Sequence, residues 1–411
     1  MKKRNNILVG ATVFGKPEAD AVKAVLDGGW LGVGKHTDLF EKKVAKYVGH
    51  KYGIAVNSGS SALLLAVRAL NLPERSKVIV CAAGFPATVA PLLHANLVPV
   101  WVDAEMTSYS IDPDDIQAAL QAYPDCKAIV FAHTVGNVAN MDKIMKLAKK
   151  HKLKVIEDIC DCLGGKWKGK QVGSFGDIAC LSFYPSHHIT AGGLGGMVLT
   201  SNKQIAQDII SLRDWGKMHE TPEYYNAYNT ETKYYINVDG IPYDYRYSYS
   251  HVGYNLKPSD MNSAFGLVQM DRLPDFIKKR NSNFDKLFNI FTKYDRQFVL
   301  PRWYVTAKPS WFNYPVVVSE DAPFTRDELV KYFEKHSIKC RLFFAGNITR
   351  QPAFKDKGIF ANSNSVVPVA DYLMKNAFLI ACHPKLTDDD IKYIGASLDA
   401  FIKTKVKTKI K

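Results

Sequence analysis

Between about residues 50 and 200 the chain alternates two rhythms. Short unbroken apolar runs at 78–80, 98–102, 128–132, 153–156, 178–182 and 197–199 read as strands buried on both faces. The segments 61–70, 116–122 and 141–151 between them place apolar residues at helical spacing. Strand and helix in alternation predict an α/β layer fold on a mainly parallel sheet. Near residue 275 the rhythm changes. Strands are expected over 312–318 and 338–343, and Thr325 with Glu328 forms a capping pair that opens a helix. Thr387 and Asp390 precede a last amphipathic helix marked by Ile391, Ile394, Leu398 and Phe401. The pattern thus predicts a large α/β domain over 1–275, N-terminal segment included, and a smaller α+β domain over 276–411. Residues 218–250 are polar, rich in tyrosine and aperiodic, and read as a long functional excursion or a disordered segment.

Composition narrows the functional classes. The 411 residues suit a large domain plus a small one, and the apolar fraction of 47% is that of an ordinary globular protein. No apolar run is long enough to span a bilayer, and the basic start is followed by no secretory apolar segment, so a cytoplasmic protein is expected. The formal charge of +14 suggests nucleic acid at first sight. Lys2, Lys3, Arg4, Lys403, Lys405, Lys407, Lys409 and Lys411 supply eight of those charges, which leaves +6 on the body. The charge therefore reads as solvated tails and not as a nucleic-acid footprint. Seven cysteines, mostly in apolar segments, read as reduced thiols.

Three segments carry candidate chemistry. Asn57-Ser58-Gly59-Ser60-Ser61 is a Gly/Ser turn between a strand-like run and an apolar helix, a place where backbone N–H groups converge on an anion; a plain helix cap looks the same. Glu157-Asp158 ends a buried strand, where open α/β sheets place ligands, and a carboxylate there can pair with a protonated pyridine nitrogen; a loop cap is an equal reading. Ser182-Phe183-Tyr184-Pro185-Ser186-His187-His188 runs from a strand into a glycine-rich loop. No further His or Cys stands nearby at metal-ligand spacing, so no metal site is expected.

Taken in order, Ser-Gly-Ser-Ser-Ala-Leu, Glu-Asp-x-x-Asp, Ser-Phe-Tyr-Pro-x-His-His and Gly253-Tyr254-Asn255-Leu256 resemble the DegT-type nucleotide-sugar aminotransferase family over nearly the whole chain. The resemblance implies the aspartate-aminotransferase-like fold (PLP fold type I), with pyridoxal or pyridoxamine phosphate as cofactor. It places Ser60, Ser61 and Ser182 on the cofactor phosphate, Phe85 on the pyridine face and Asp158 on the pyridine nitrogen. Asp161 falls near the ring hydroxyl, where aminotransferases usually have Gln. Asn255 would reach the phosphate of a neighbouring subunit, which implies a homodimer. Arg350 is a candidate for a substrate phosphate or an amino donor's carboxylate, and His188 for orienting His187 or touching substrate.

Most of the family has a lysine where this chain has His187. The exchange resembles the subgroup of 3-dehydratases that act on nucleotide-linked 4-keto-6-deoxy sugars. A lysine would hold the cofactor covalently and shuttle protons. Histidine leaves it non-covalent, yet imidazole is still a base near neutral pH. The resemblance implies that His187 removes a proton from the amino-bearing carbon while the sugar's 3-hydroxyl leaves. CDP-sugar members of the subgroup carry an iron–sulfur cluster on cysteines after an Asp-Trp-Gly stretch. Here Asp214-Trp215-Gly216 is present, but no cysteine lies between Cys180 and Cys340, so no such cluster is expected. The cycle of the GDP-sugar members, recharged by glutamate, is favoured, and with it a GDP-linked substrate. Two other readings stay open: an aminotransferase using Lys166, Lys168 or Lys170, and a non-catalytic cofactor-binding protein.

Overall fold

The computed structural model describes residues 5–218, 235–355 and 366–409. Its centre is a seven-stranded sheet. The first five strands are β1 (Tyr52–Val56), β2 (Lys77–Cys81), β3 (Val98–Val102), β4 (Ala128–Ala132) and β5 (Lys154–Asp158). After a small side ladder of β6 (Lys166–Trp167) and β7 (Lys170–Gln171) come β8 (Ile178–Ser182) and β9 (Gly196–Thr200). The spatial order is β1-β9-β8-β5-β4-β2-β3. Only β9 runs against its neighbours, so the other six strands end on the same edge. The expected strands at 98–102, 128–132 and 178–182 appear at those bounds, and 78–80 and 197–199 each gain one residue at either end.

Side chains alternate across the sheet and build two cores. Val56, Val80, Val130, Ile156, Ile178 and Cys180 face one of them. That face is covered by α3 (Gly59–Ala69), α4 (Ala90–His94) and α7 (Lys203–Arg213). Ala55, Ile79, Ile129, Val155, Ala179 and Leu181 face the other, under α2 (Lys35–Val48), α5 (Pro113–Ala122) and α6 (Met141–His151). Helix starts follow their caps: Asp112 accepts from Asp114 N ahead of Pro113, Asn140 from Lys143 N, and Asn202 from Gln204 N.

Helix α1 (Lys16–Asp27) packs on α8 (Asp260–Phe291), a 32-residue helix that runs straight through the expected boundary at 275 with Pro274 inside it. Met270, Leu273 and Phe276 of α8 enter one core; Phe284, Leu287 and Phe291 enter the other. A helix that buries different faces along its length has no single apolar stripe, which is why the sequence pattern does not announce it.

The C-terminal part adds β12 (Ala307–Lys308), paired with β6, and a second sheet of β13 (Tyr314–Val317), β14 (Arg341–Leu342) and β15 (Ala377–Ile380). Helices α9 (Arg326–Lys335), α10 (Pro368–Asn376) and α11 (Asp388–Lys409) accompany it. The Thr325–Glu328 capping box forms as expected. The strand expected over 338–343 shortens to two residues because the chain turns at Phe344 and Gly346, both with positive φ. Asp103, just past β3, ties the parts together: its carboxylate accepts from Val369 N and Ala370 N at 2.7 and 2.9 Å and so caps α10.

Within 218–250 the hairpin β10 (Tyr235–Val238) and β11 (Ile241–Asp244) forms across Asp239-Gly240; residues 219–234 lie outside the described residues. No helix among the described residues is long and apolar enough to cross a membrane. All seven cysteines are free.

Strand β5 also carries a fully buried carboxylate. Glu157 accepts from Gly173 N (2.7 Å), Phe175 N (2.7 Å), Gly176 N (2.6 Å) and His133 Nε2 (3.2 Å). Burial alone would raise this carboxyl, but the His133 and backbone donors outweigh it and hold it below its ordinary value. Replacing Glu157 by Ala strands four donors, two of them fully buried, and should cost about 3–5 kcal/mol, read as a lower urea midpoint. An unchanged midpoint would mean that the 173–176 turn does not depend on this residue.

Candidate functional site

The candidate residues gather at the edge where the parallel strands end. Ser182 and Asp158 close adjacent strands β8 and β5, and by alternation both point to the face covered by α3. The first turn of α3 comes down on that same edge. Ser58 is its N-cap and accepts from Ser61 N. A Cβ on Gly59 would stand 2.6 Å from Ser182 Cβ, and one on Gly196 would stand 2.2 Å from Ser58 O. Glycine at both places lets the start of the helix press against the ends of β8 and β9. The result is a helix start beside the Ser182 hydroxyl, the kind of place that suits an anion.

Not every predicted serine is equally available. The Ser61 hydroxyl donates to Asn57 Oδ1 at 2.6 Å, so its one proton is used inside the turn; its part here is to shape the loop. Ser60 is the exposed hydroxyl of that turn. Ser182 Oγ accepts from Tyr184 N at 3.3 Å, which leaves its proton free to donate outward.

Asp158 is fixed from two sides. Thr88 Oγ1 donates to one carboxylate oxygen at 2.8 Å and Cys160 N to the other at 3.1 Å. Thr88 belongs to the turn that also carries Phe85, so the ring and the carboxylate are set by one segment. Phe85 is 57% exposed and meets Phe344 edge-on at 6.2 Å, so a face of its ring stays open for stacking. An anion seat at a helix start, an oriented carboxylate and an open aromatic face together fit a phosphorylated pyridine ring.

His187 lies beyond β8 on a loop held from several directions. Thr12 Oγ1 donates to Pro185 O at 2.9 Å, and the chain at Gly10 passes so close that a Cβ there would stand 2.8 Å from Ser186 Cβ. The imidazole stacks on Phe312 at 5.1 Å and 27°, and its Nδ1 stands 3.6 Å from Asp161 Oδ1. Burial, and then the Arg280 guanidinium, lowers the imidazole to about 3; burial, and then the Asp158 carboxylate, pushes Asp161 up to about 8. Around neutral pH the proton of this pair therefore sits on Asp161, and His187 keeps a free lone pair.

His188 belongs elsewhere. It is 2% exposed and its Nε2 bonds to Ser310 O at 2.9 Å, so it packs in the interior and is not placed to touch substrate, contrary to the expectation from the sequence. Arg350 is exposed, but its guanidinium is paired with Asp371 through two contacts. Its loop does pack on the Phe85 turn, with Ala345 N donating to Gly84 O and Ile348 N to Ala82 O. The exposed Asn255 lies beside the anion seat of its own chain, because Asn57 N donates to the next carbonyl, Leu256 O, at 2.9 Å.

Two of the three alternative lysines are occupied. Lys168 pairs with Asp142 at 2.6 Å and Lys170 donates to Ser174 O at 3.0 Å, both in the exposed side ladder; Lys166 lies in β6 of the same ladder. Thr88, Phe312 and Arg280 are the site residues that sequence reasoning did not assign. Thr88 stands three residues after Phe85; Phe312 opens a segment read only as a strand, and Arg280 had no local mark; both reach His187 from distant parts of the chain.

With this geometry in place, comparison with known proteins is decisive. Residues 13–399 match the DegT/DnrJ/EryC1/StrS aminotransferase family. The chain belongs to that family. The lipopolysaccharide biosynthesis protein RfbH of Salmonella typhimurium is 39% identical over 392 residues, covering 92% of this chain and 88% of that protein. The dTDP-4-dehydro-2,6-dideoxy-D-glucose 3-dehydratase of Saccharopolyspora spinosa is 37% identical over 381 residues, covering 90% and 81%. The structure of E. coli GDP-4-keto-6-deoxy-D-mannose-3-dehydratase with bound hydrated PLP superposes with a TM-score of 0.85 at 26% identity, covering 96% of this chain and 99% of that one. The family carries the type I aminotransferase fold expected from the sequence.

Proposed function

We propose that the chain is a 3-dehydratase of a nucleotide-linked 4-keto-6-deoxy sugar, working with pyridoxamine phosphate that glutamate regenerates. The observation that carries this reading is His187: a neutral imidazole, stacked on Phe312, stands where the family's covalent lysine is expected. The bound cofactor supplies an amino group for the sugar ketone and a conjugated ring that accepts electrons. The protein's own part is to seat the phosphate at Ser60 and Ser182, orient the ring with Asp158 and Phe85, and move a proton through His187 Nε2 or Nδ1.

With His187 in place of a lysine, the reading is that amino transfer stops at the cofactor, recharged by glutamate, and that the sugar loses its 3-hydroxyl. The atoms balance: the sugar loses one oxygen, glutamate becomes 2-oxoglutarate, and ammonia leaves. Two of the relatives named above act on dTDP- and GDP-linked sugars by their names, and of these two the dTDP enzyme has the higher identity. Similarity alone therefore does not choose between GDP and dTDP, and substrate nucleotide is a matter for a panel. Homodimer formation, with Asn255 reaching a partner's phosphate, belongs to the same proposal.

The test is mass spectrometry of products from the enzyme with PLP, glutamate and GDP-, CDP- and dTDP-linked 4-keto-6-deoxy sugars. A product lighter by one oxygen, with ammonia released and no nitrogen kept on the sugar, is expected. A product that has gained an amino group would overturn the dehydratase in favour of an aminotransferase.

A further inference from the structure

Arg280 sits midway along α8, between Phe276 in one core and Phe284 in the other. It is 1% exposed. A buried guanidinium must be compensated, usually by a carboxylate. Here no carboxylate of the described residues lies within ion-pair distance of it. Its two Nη groups donate instead to three carbonyls, Phe312 O at 2.6 Å, His187 O at 3.0 Å and Ser186 O at 3.1 Å, while Nε has no partner among the described residues. Those carbonyls belong to the imidazole-bearing residue, to the residue before it, and to the residue whose ring stacks on the imidazole.

We propose that Arg280 is a positioning residue for His187: its planar fork holds the His187 loop and Phe312 in one frame, and so aims the imidazole. This rests on the reading of His187 as the proton-transferring group. The need for such a frame is visible in the ring itself. His187 Nδ1 has no hydrogen-bond partner among the described residues, so ring orientation comes from the backbone beneath it and the stack beside it. Arg280 is bonded to both. Neighbouring segments add to its grip on α8, since Cys382 Sγ donates to Arg280 O at 3.2 Å and Asn281 Nδ2 to Pro309 O at 3.0 Å. The groups that face the imidazole are Asp161 at 3.6 Å, Arg280, His188 and Tyr184. Arg280 is the fixed cation among them and opposes a second positive charge on His187.

The test compares wild type, Arg280→Met and Arg280→Lys by NMR of nitrogen-labelled imidazoles in protein free of cofactor, with folding checked by circular dichroism. In Arg280→Met the His187 signal is expected to shift and to protonate at higher pH. Turnover should fall about 100-fold, the scale of a misplacement of an ångström or so, with KM for the sugar little changed. Arg280→Lys keeps a cation without the fork, so His187 should titrate near its wild-type position while turnover stays low. A folded Arg280→Met whose His187 signal and titration match wild type overturns the proposal. If the Met variant does not fold, Arg280→Lys decides, and wild-type signal and turnover there overturn it equally. The imidazole readout needs no cofactor, so it separates a failed clamp from a failed base; undiminished turnover in His187→Asn would reject the base alone.

Discussion

His187→Asn should lower turnover by about 10²–10⁴-fold, the usual weight of a general base, while leaving affinity for the cofactor close to wild type. The separation follows from geometry. Asp158, Phe85 and the start of α3 form the seat, and none of them hydrogen-bonds to the imidazole. Asn preserves a polar side chain but has no basic lone pair. Single-turnover assays with preloaded cofactor, beside equilibrium binding by absorbance, measure the two quantities independently. Equal loss of both would place His187 in the seat; loss of neither would remove it from the chemistry. The complementary change, His187→Lys, should create a covalent attachment visible as a shift in cofactor absorption. The pH profile gives a further check. His187 titrates near 3 and contributes no acid limb at moderate pH, whereas Asp161 loses its proton as pH rises through about 8 and places a negative charge 3.6 Å from Nδ1. An inflection near that pH is expected, and it should disappear in Asp161→Asn.

How much of this was open to the sequence depends on whether the cause was local. Strands 98–102 and 128–132 are buried on both faces, so their apolar runs stop where the strands stop. The capping box at Thr325 and the turn at Ser58 are likewise written within four residues. Asp158 could be placed because a strand's carboxyl end is where open sheets bind ligands; Ser182 came from the family resemblance, and β5 and β8 are neighbours in the sheet. The misses have long-range causes. His188 looked like a partner of His187, but the turn sends it inward to Ser310, far away in the chain. Arg280 was one basic residue in a run of three, and only the path of α8 between two cores buries it. Ser61 differs in that its constraint is local: its hydroxyl proton goes to Asn57, four residues back.

Asp158→Ala should be the more damaging change for the cofactor, weakening its binding by about 100-fold or more, since losing a charge-assisted bond in a buried site is worth roughly 3 kcal/mol or above. The effect is expected to be larger than in a lysine-bearing relative, because no covalent link at position 187 offsets it. Thr88→Val gives the graded control: it removes the 2.8 Å bond that orients the carboxylate but keeps the charge, and should cost about tenfold. The protein without cofactor supplies a second readout. Asp158 is the nearest negative charge raising Asp161, after burial itself, so in Asp158→Ala the Asp161 carboxyl should titrate below its present value of about 8 while remaining above an ordinary aspartate. Carboxyl-carbon NMR can follow that titration. Lost cofactor binding with an unmoved Asp161 would mean that the variant had disturbed the edge of the sheet more broadly. Retained binding with a lowered Asp161 would show that the two carboxylates interact as described but that the ring nitrogen is held by something else.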